Sequence, residues 1–167
     1  MYLQRHLEKT PRVSKDAKIF QGACLSGDII IDEGVNIWYN VSMRGDMAPI
    51  RVGTDTNIQD NAVIHTNTDQ PTTIGKNVTI GHGAIIHGCT VEDDALIGMG
   101  SILLDGATVE QGALVGAGTL VPPGKTVPKY HLAIGNPMKI IRELTEDDIK
   151  ANEANKDYYL KLVKEYE

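Results

Sequence analysis

His65, His82 and His87 are the residues of this chain best suited to chemistry. A neutral imidazole binds a metal ion through either ring nitrogen. Three imidazoles around one open coordination position are the donor set of a catalytic, not a structural, zinc site. The remaining histidines, His6 and His131, read as ordinary surface polar residues.

A repeat decides where each histidine points. Aliphatic residues recur at every sixth position: Val13, Ile19, Leu25, Ile31, Ile37, Met43. The series resumes at Val52, Ile58, Ile64, again at Ile74, Ile80, Ile86, and after a one-residue slip runs from Val91 to Val127. A small residue follows most of them four positions later, as at Ala17, Ala23, Ala62, Ala84, Ala95 and Ser101. Neither a helical period nor simple alternation explains this spacing. A hexapeptide period marks a parallel β-helix, in which each hexad is one short strand and a corner and three hexads close a triangular coil. The predicted fold class is therefore an all-β solenoid. Breaks at residues 49–51 and 68–73 read as corner insertions.

Stacking the coils sorts the candidates into columns. The residue after each inward aliphatic points outward. On one face that column is Ser26, Arg44, His65, His87, Leu104, so His65 and His87 are neighbours one coil apart. Adjacent coils lie roughly 4.8 Å apart, close enough for two imidazoles to share an ion. His82 falls two residues past Ile80, on a second face, in the column Tyr39, Asp60, His82, Met99. Two faces of a prism point in different directions. His82 is expected to meet His65 and His87 of a neighbouring chain, and cyclic packing of three prisms makes that contact in a closed ring. Arg44 beneath His65, Asp60 beneath His82, and Gln59 flanked by Asn57 and Asn61 gather polar groups on one patch.

Composition narrows the class. The chain has 167 residues, 41% hydrophobic, with one Phe and one Trp, as suits one narrow aliphatic core. A net charge of −6 argues against nucleic acid and anionic membranes as partners. With no long apolar stretch and no signal pattern, a soluble cytoplasmic protein is expected. Cys24 and Cys89 lie three coils apart on this scheme, beyond the reach of a disulfide, and read as reduced thiols.

The motifs Arg44-Gly45-Asp46, Asn57-Ile58-Gln59-Asp60-Asn61, His65, Gly81-His82, His87-Gly88-Cys89 and Ile97-Gly98-Met99-Gly100-Ser101 resemble the gamma-class carbonic anhydrase family in order and spacing, from about Pro11 to the C-terminal helix. The resemblance implies a left-handed β-helix and a homotrimer. It implies a zinc ion, with iron(II) or cobalt(II) as alternatives, held at each interface by His65 and His87 of one subunit and His82 of the next. It implies reversible hydration of carbon dioxide to bicarbonate by a metal-bound hydroxide. By position, Gln59 matches the glutamine that bonds the metal-bound water, and Asn57 the asparagine that orients carbon dioxide. Arg44 matches an arginine that pairs across the interface with carboxylates matching Asp46 and Asp60. Tyr159 matches a tyrosine that reaches the pocket in some relatives. The chain departs from the family pattern at Met47, where a glutamate is expected, and at Thr66–Pro71, which carries one carboxylate, Asp69, instead of an acidic shuttle loop.

Toward the C-terminus, Pro122-Pro123-Gly124 and Gly135-Asn136-Pro137 read as the end of the solenoid. Thr145 opens a capping box with Asp148, and Tyr159, Leu162, Val163 and Tyr166 form one helical apolar stripe. The expected organisation is a β-helix over 1–144 and a helix packed on it over 145–167. A coenzyme A-dependent hexapeptide-repeat acyltransferase is the alternative function, and a non-catalytic metal-binding trimer is a second.

Overall fold

The computed structural model describes residues 2–166. Short parallel strands wind through about seven turns into a left-handed β-helix of hexapeptide coils, followed by one helix. Backbone N–H groups of each coil donate to carbonyls of the next: Gln59 to Ile80 at 2.9 Å and Gly81 to Ile97 at 2.8 Å.

The hexad period produces three inward columns. Leu25, Met43, Ile64, Ile86, Leu103 and Val121 pair in register on one face. Ile19, Ile37, Ile58, Ile80, Ile97 and Val115 do so on the second. Val13, Ile31, Val52, Ile74, Val91, Val109 and Val127 form the third. Ile58, Ile64, Ile80 and Ile86 are completely shielded from solvent. β-Branched side chains suit such pleated stacks, and truncating one to alanine costs about 2–5 kcal/mol. Coils approach closely beside Gly81, where an added Cβ would lie 2.7 Å from the Met99 nitrogen and 2.8 Å from the Ile97 carbonyl oxygen.

One local expectation is corrected, and the two corner insertions take definite forms. Residues 49–51 stay in the ladder. The strand Ser42–Val52 runs unbroken round the corner against Cys24–Ile31, with one irregularity between Gly27 and Ile29. The extra length lets the chain bend while its backbone groups stay paired. Pro122-Pro123-Gly124 does not end the solenoid. It is one more corner, and the coils continue through Thr126–Val127 and His131–Ile134. Proline is tolerated there because those positions owe no N–H to a ladder. The solenoid closes instead with Lys139–Glu143, antiparallel to His131–Ile134. The 68–73 insertion is a tight hairpin in which Asn67 and Gln70 exchange backbone bonds of 3.2 and 3.0 Å.

Helix α1, Glu146–Leu162, begins at the Thr145 N-cap, with both bonds of the capping box to Asp148 present. Arg142 pairs with Asp148 at 2.6 Å. That contact, with the Thr145 bonds, holds the Asp148 carboxyl below its ordinary range. The expected apolar stripe is only part of the docking face. Val163, just past α1, is buried, whereas α1 itself has no fully buried residue. Asn152 donates to the Asp94 carbonyl at 2.8 Å, and Asn155 to Thr79 Oγ1 at 3.4 Å. The physical reason lies underneath. The outward column beneath α1 includes Asn36, Asn57 and Thr79, so amides on the helix answer polar groups on the coils. Among the described residues no helix is long and apolar enough to cross a membrane.

Candidate metal centre

His65 and His87 are register partners on adjacent coils, with Arg44 one coil below. His65 Nδ1 and His87 Nε2 face each other at 3.0 Å. The far nitrogen of each ring is held by a carboxylate: His65 Nε2 by Asp46 at 3.1 Å and His87 Nδ1 by Asp105 at 2.5 Å. Burial works against the charge on Asp46, but hydrogen bonds from Arg44 and His65 outweigh it and keep its pKa below the usual value. Hydrogen bonds from Asn67 and then His87 do the same for Asp105. Both carboxylates are therefore ionised acceptors at neutral pH, and each takes an imidazole N–H. The ring nitrogens turned away from those carboxylates, His65 Nδ1 and His87 Nε2, are the two that face each other across 3.0 Å. With protons on the carboxylate side of both neutral rings, these two nitrogens would offer their lone pairs to one cation. Nitrogens bound tetrahedrally to zinc at about 2.0–2.1 Å sit roughly 3.3 Å apart, so the donor pair fits a divalent ion with a small adjustment.

His82 occupies a corner between two faces, in the turn after Ile80, not the flat of the second face as its column suggests. Gly83 at φ +66° makes that turn. His82 Nδ1 meets Asp60 Oδ2 at 2.9 Å, on a ring that is half-exposed. All three histidines thus share one plan: one nitrogen on a carboxylate, the other available. Carboxylates in this place orient metal-binding imidazoles and raise their basicity.

The remaining candidates divide between two half-sites. Arg44 pairs with Asp46 of its own chain, whereas the resemblance draws Arg44 to carboxylates across an interface. Gln59 and Asn57 join the His82 side and are buried, not outward and open. Gln59 Nε2 donates to Asn57 Oδ1 at 3.1 Å, and the His82 backbone N–H donates to Gln59 Oε1 at 3.2 Å. Tyr159 stands edge-on to Trp38 at 5.6 Å. Burial, then the Asp60 charge, pushes its hydroxyl pKa up, so Tyr159 lies within electrostatic reach of Asp60. Among the described residues, no three His, Cys, Asp or Glu of one chain form a group able to hold a metal.

Asp105 and Asn67 were not singled out by sequence reasoning. Asp105 stands two residues past inward Leu103, so hexad counting places it above Gly88 and beside His87. Gly88 makes room: an added Cβ there would come within 2.6 Å of Asp105 Oδ1. Cys89 points inward at 2% exposure, and burial pushes its thiol up to about 12. A neutral buried thiol is inert. In the folded protein at pH 8, iodoacetamide should label Cys24 and spare Cys89, as read by peptide mass. Labelling of Cys89 before unfolding would refute this.

The sequence model described as the hexapeptide repeat of succinyl-transferase matches residues 71–105 and 89–122. A carbonic anhydrase of Geobacillus kaustophilus is 47% identical over 152 residues, covering 91% of this chain and 84% of that protein. The mitochondrial gamma carbonic anhydrase 2 of Arabidopsis thaliana is 44% identical over 173 residues, covering 96% of this chain, which spans 62% of that longer protein. The crystal structure of a hexapeptide transferase family protein from Anaplasma phagocytophilum superposes with a TM-score of 0.96 at 40% identity, covering 99% of this chain and 98% of that one. The extent of the match to the two carbonic anhydrases, together with the coil architecture, shows that this chain belongs to the gamma carbonic anhydrase family.

Proposed function

We propose that the protein is a metal-dependent carbon dioxide hydratase acting as a homotrimer, with each ion shared by His65 and His87 of one subunit and His82 of the next. The convergence of two ring nitrogens, each on an imidazole whose other nitrogen a carboxylate holds, carries this reading. The separate His82 corner supplies a third nitrogen of the same kind. Zinc suits three imidazoles and an open position, and iron(II) or cobalt(II) would accept the same donors. A divalent ion held there would supply Lewis acidity and bring the pKa of a water it binds toward about 7.

The chain's own residues do the rest. Asp46, Asp105 and Asp60 hold the imidazoles in one tautomer and one orientation. Arg44 neutralises Asp46 and steadies it. Gln59, the less buried of the two amides beside His82, keeps one Nε2 hydrogen beyond its bond to Asn57 with which to orient the small reactants, and Asn57 fixes that amide from behind. Tyr159 closes the helix side of the same half-site.

Each hydration must also release a proton. Met47 is an exposed apolar residue in the place of a carboxylate, and Asp69 sits exposed at the tip of a tight hairpin. Hydration should therefore rise strongly with the concentration of a small imidazole buffer, and Asp69→Asn should change it little. A rate independent of buffer, with a collapse in Asp69→Asn, would show that this hairpin carries the proton.

Metal analysis of anaerobically purified protein, beside carbon dioxide hydration by the same sample, tests the reading. About one ion per chain with hydration supports it. Metal without hydration leaves a binding trimer only. The hexapeptide transferase likeness favours a second reading, a coenzyme A-dependent acyltransferase. Calorimetric binding of acetyl-coenzyme A by metal-free protein would favour that one.

A further inference from the structure

We infer that Thr79 and Asn155 are positioning residues: they anchor a buried relay that ties helix α1 to the turn carrying His82. Asn155 Nδ2 donates to Thr79 Oγ1 at 3.4 Å, and Asn57 Nδ2 donates to the same oxygen at 2.8 Å. Asn57 Oδ1 accepts from Gln59 Nε2 at 3.1 Å, and Gln59 Oε1 accepts the His82 backbone N–H at 3.2 Å. Thr79, Asn57 and Gln59 are 3%, 1% and 5% exposed, so water does not compete for these bonds.

The direction of the whole relay is set from one end. A backbone N–H only donates, so Gln59 must turn its oxygen to His82. Its nitrogen must then donate to Asn57, and Asn57 must turn its own nitrogen to Thr79. Each link from His82 to Thr79 has one allowed orientation, and losing the acceptor at Thr79 strands the buried Asn57 donor. The relay has no second outlet downward. Asn36, one coil below Asn57, accepts the Trp38 Nε1–H at its Oδ1 at 2.8 Å, and its buried Nδ2 has no partner among the described residues.

The relay completes the tethering of the turn it serves. Ladder bonds hold Gly81 to Ile97, Gly83 to Asp60 and the His82 carbonyl to the Gly100 N–H, whereas the His82 N–H is held by a side chain, that of Gln59. With Gln59 held, the His82 amide is held. With α1 docked through Asn155, the outer end of the relay is held too. The catalytic consequence, a correctly aimed His82 ring and Gln59 amide, rests on the proposed hydration reaction.

The test compares Thr79→Val, which keeps shape and removes the acceptor, with Thr79→Ser, which restores it. Hydrogen exchange of the His82 amide in metal-free protein, followed by NMR, should speed about tenfold in Thr79→Val and return to the native rate in Thr79→Ser. The core amides of Gly81 and Gly98 should keep their rates. Hydration kcat should fall about tenfold with KM little changed, and recover in Thr79→Ser. Asn155→Ala, on the half-buried helix face, should shift both readouts the same way by about threefold, since it removes the longest link. It decides the matter if Thr79→Val does not fold. Unchanged His82 exchange in whichever variant folds overturns the relay. A wild type that does not hydrate carbon dioxide overturns the proposed reaction instead, and the exchange rates alone then judge the relay.

Discussion

Co-assembly of His65→Ala chains with His82→Ala chains should restore metal binding at about a quarter of the interfaces, although neither variant alone binds metal. The arithmetic follows from a closed ring. An intact site needs a His82→Ala chain, which still offers His65 and His87, followed by a His65→Ala chain, which still offers His82. Random mixing in equal amounts gives that order at about one interface in four. The structural basis is the division of the donors within one chain: His65 and His87 meet across 3.0 Å, while His82 pairs with Asp60 in a separate corner. Metal per chain in mixed and unmixed trimers measures the effect. No recovery on mixing, or full binding by separated monomers, would sink the shared site.

Asp105→Ala should weaken zinc binding about 10–100-fold while leaving the thermal stability of the metal-free protein nearly unchanged. Asp105 holds His87 Nδ1 at 2.5 Å through one oxygen and Asn67 Nδ2 at 2.8 Å through the other. Its removal frees the His87 ring to rotate and to change tautomer, so Nε2 is no longer presented toward His65. The stability effect is small because the Asp105 side chain is 31% exposed, and ion pairs at such depth contribute only about 0–1 kcal/mol. Competition against a chelator gives the affinity, and a melting curve gives the control. An unchanged affinity would mean that packing alone orients His87.

How far the sequence reaches can be seen residue by residue. Hexad counting puts His65 over Arg44 and under His87, and the strands pair in that register. It puts Asp60 in the His82 column, and the two are in contact. Counting fails at corners. The long strand Ser42–Val52 and the Pro122–Gly124 corner follow backbone pairing, not the signals of their local residues. It fails again for α1, where an apolar stripe is easy to see and Asn152 and Asn155 are not. Amides facing a polar column have no periodic signature.

The sequence by itself determined the solenoid, its three inward columns and the histidine pair stacked on one face. These depend only on a backbone that climbs one coil per repeat and on side chains that alternate in and out. The tertiary structure alone decided which nitrogen of each imidazole a carboxylate holds, that Asp105 supports His87, and that Gln59 is buried between Asn57 and the His82 turn. Those outcomes depend on side-chain directions at corners and on what packs over them. A six-residue period fixes the height and face of a residue, and leaves its torsions to its neighbours.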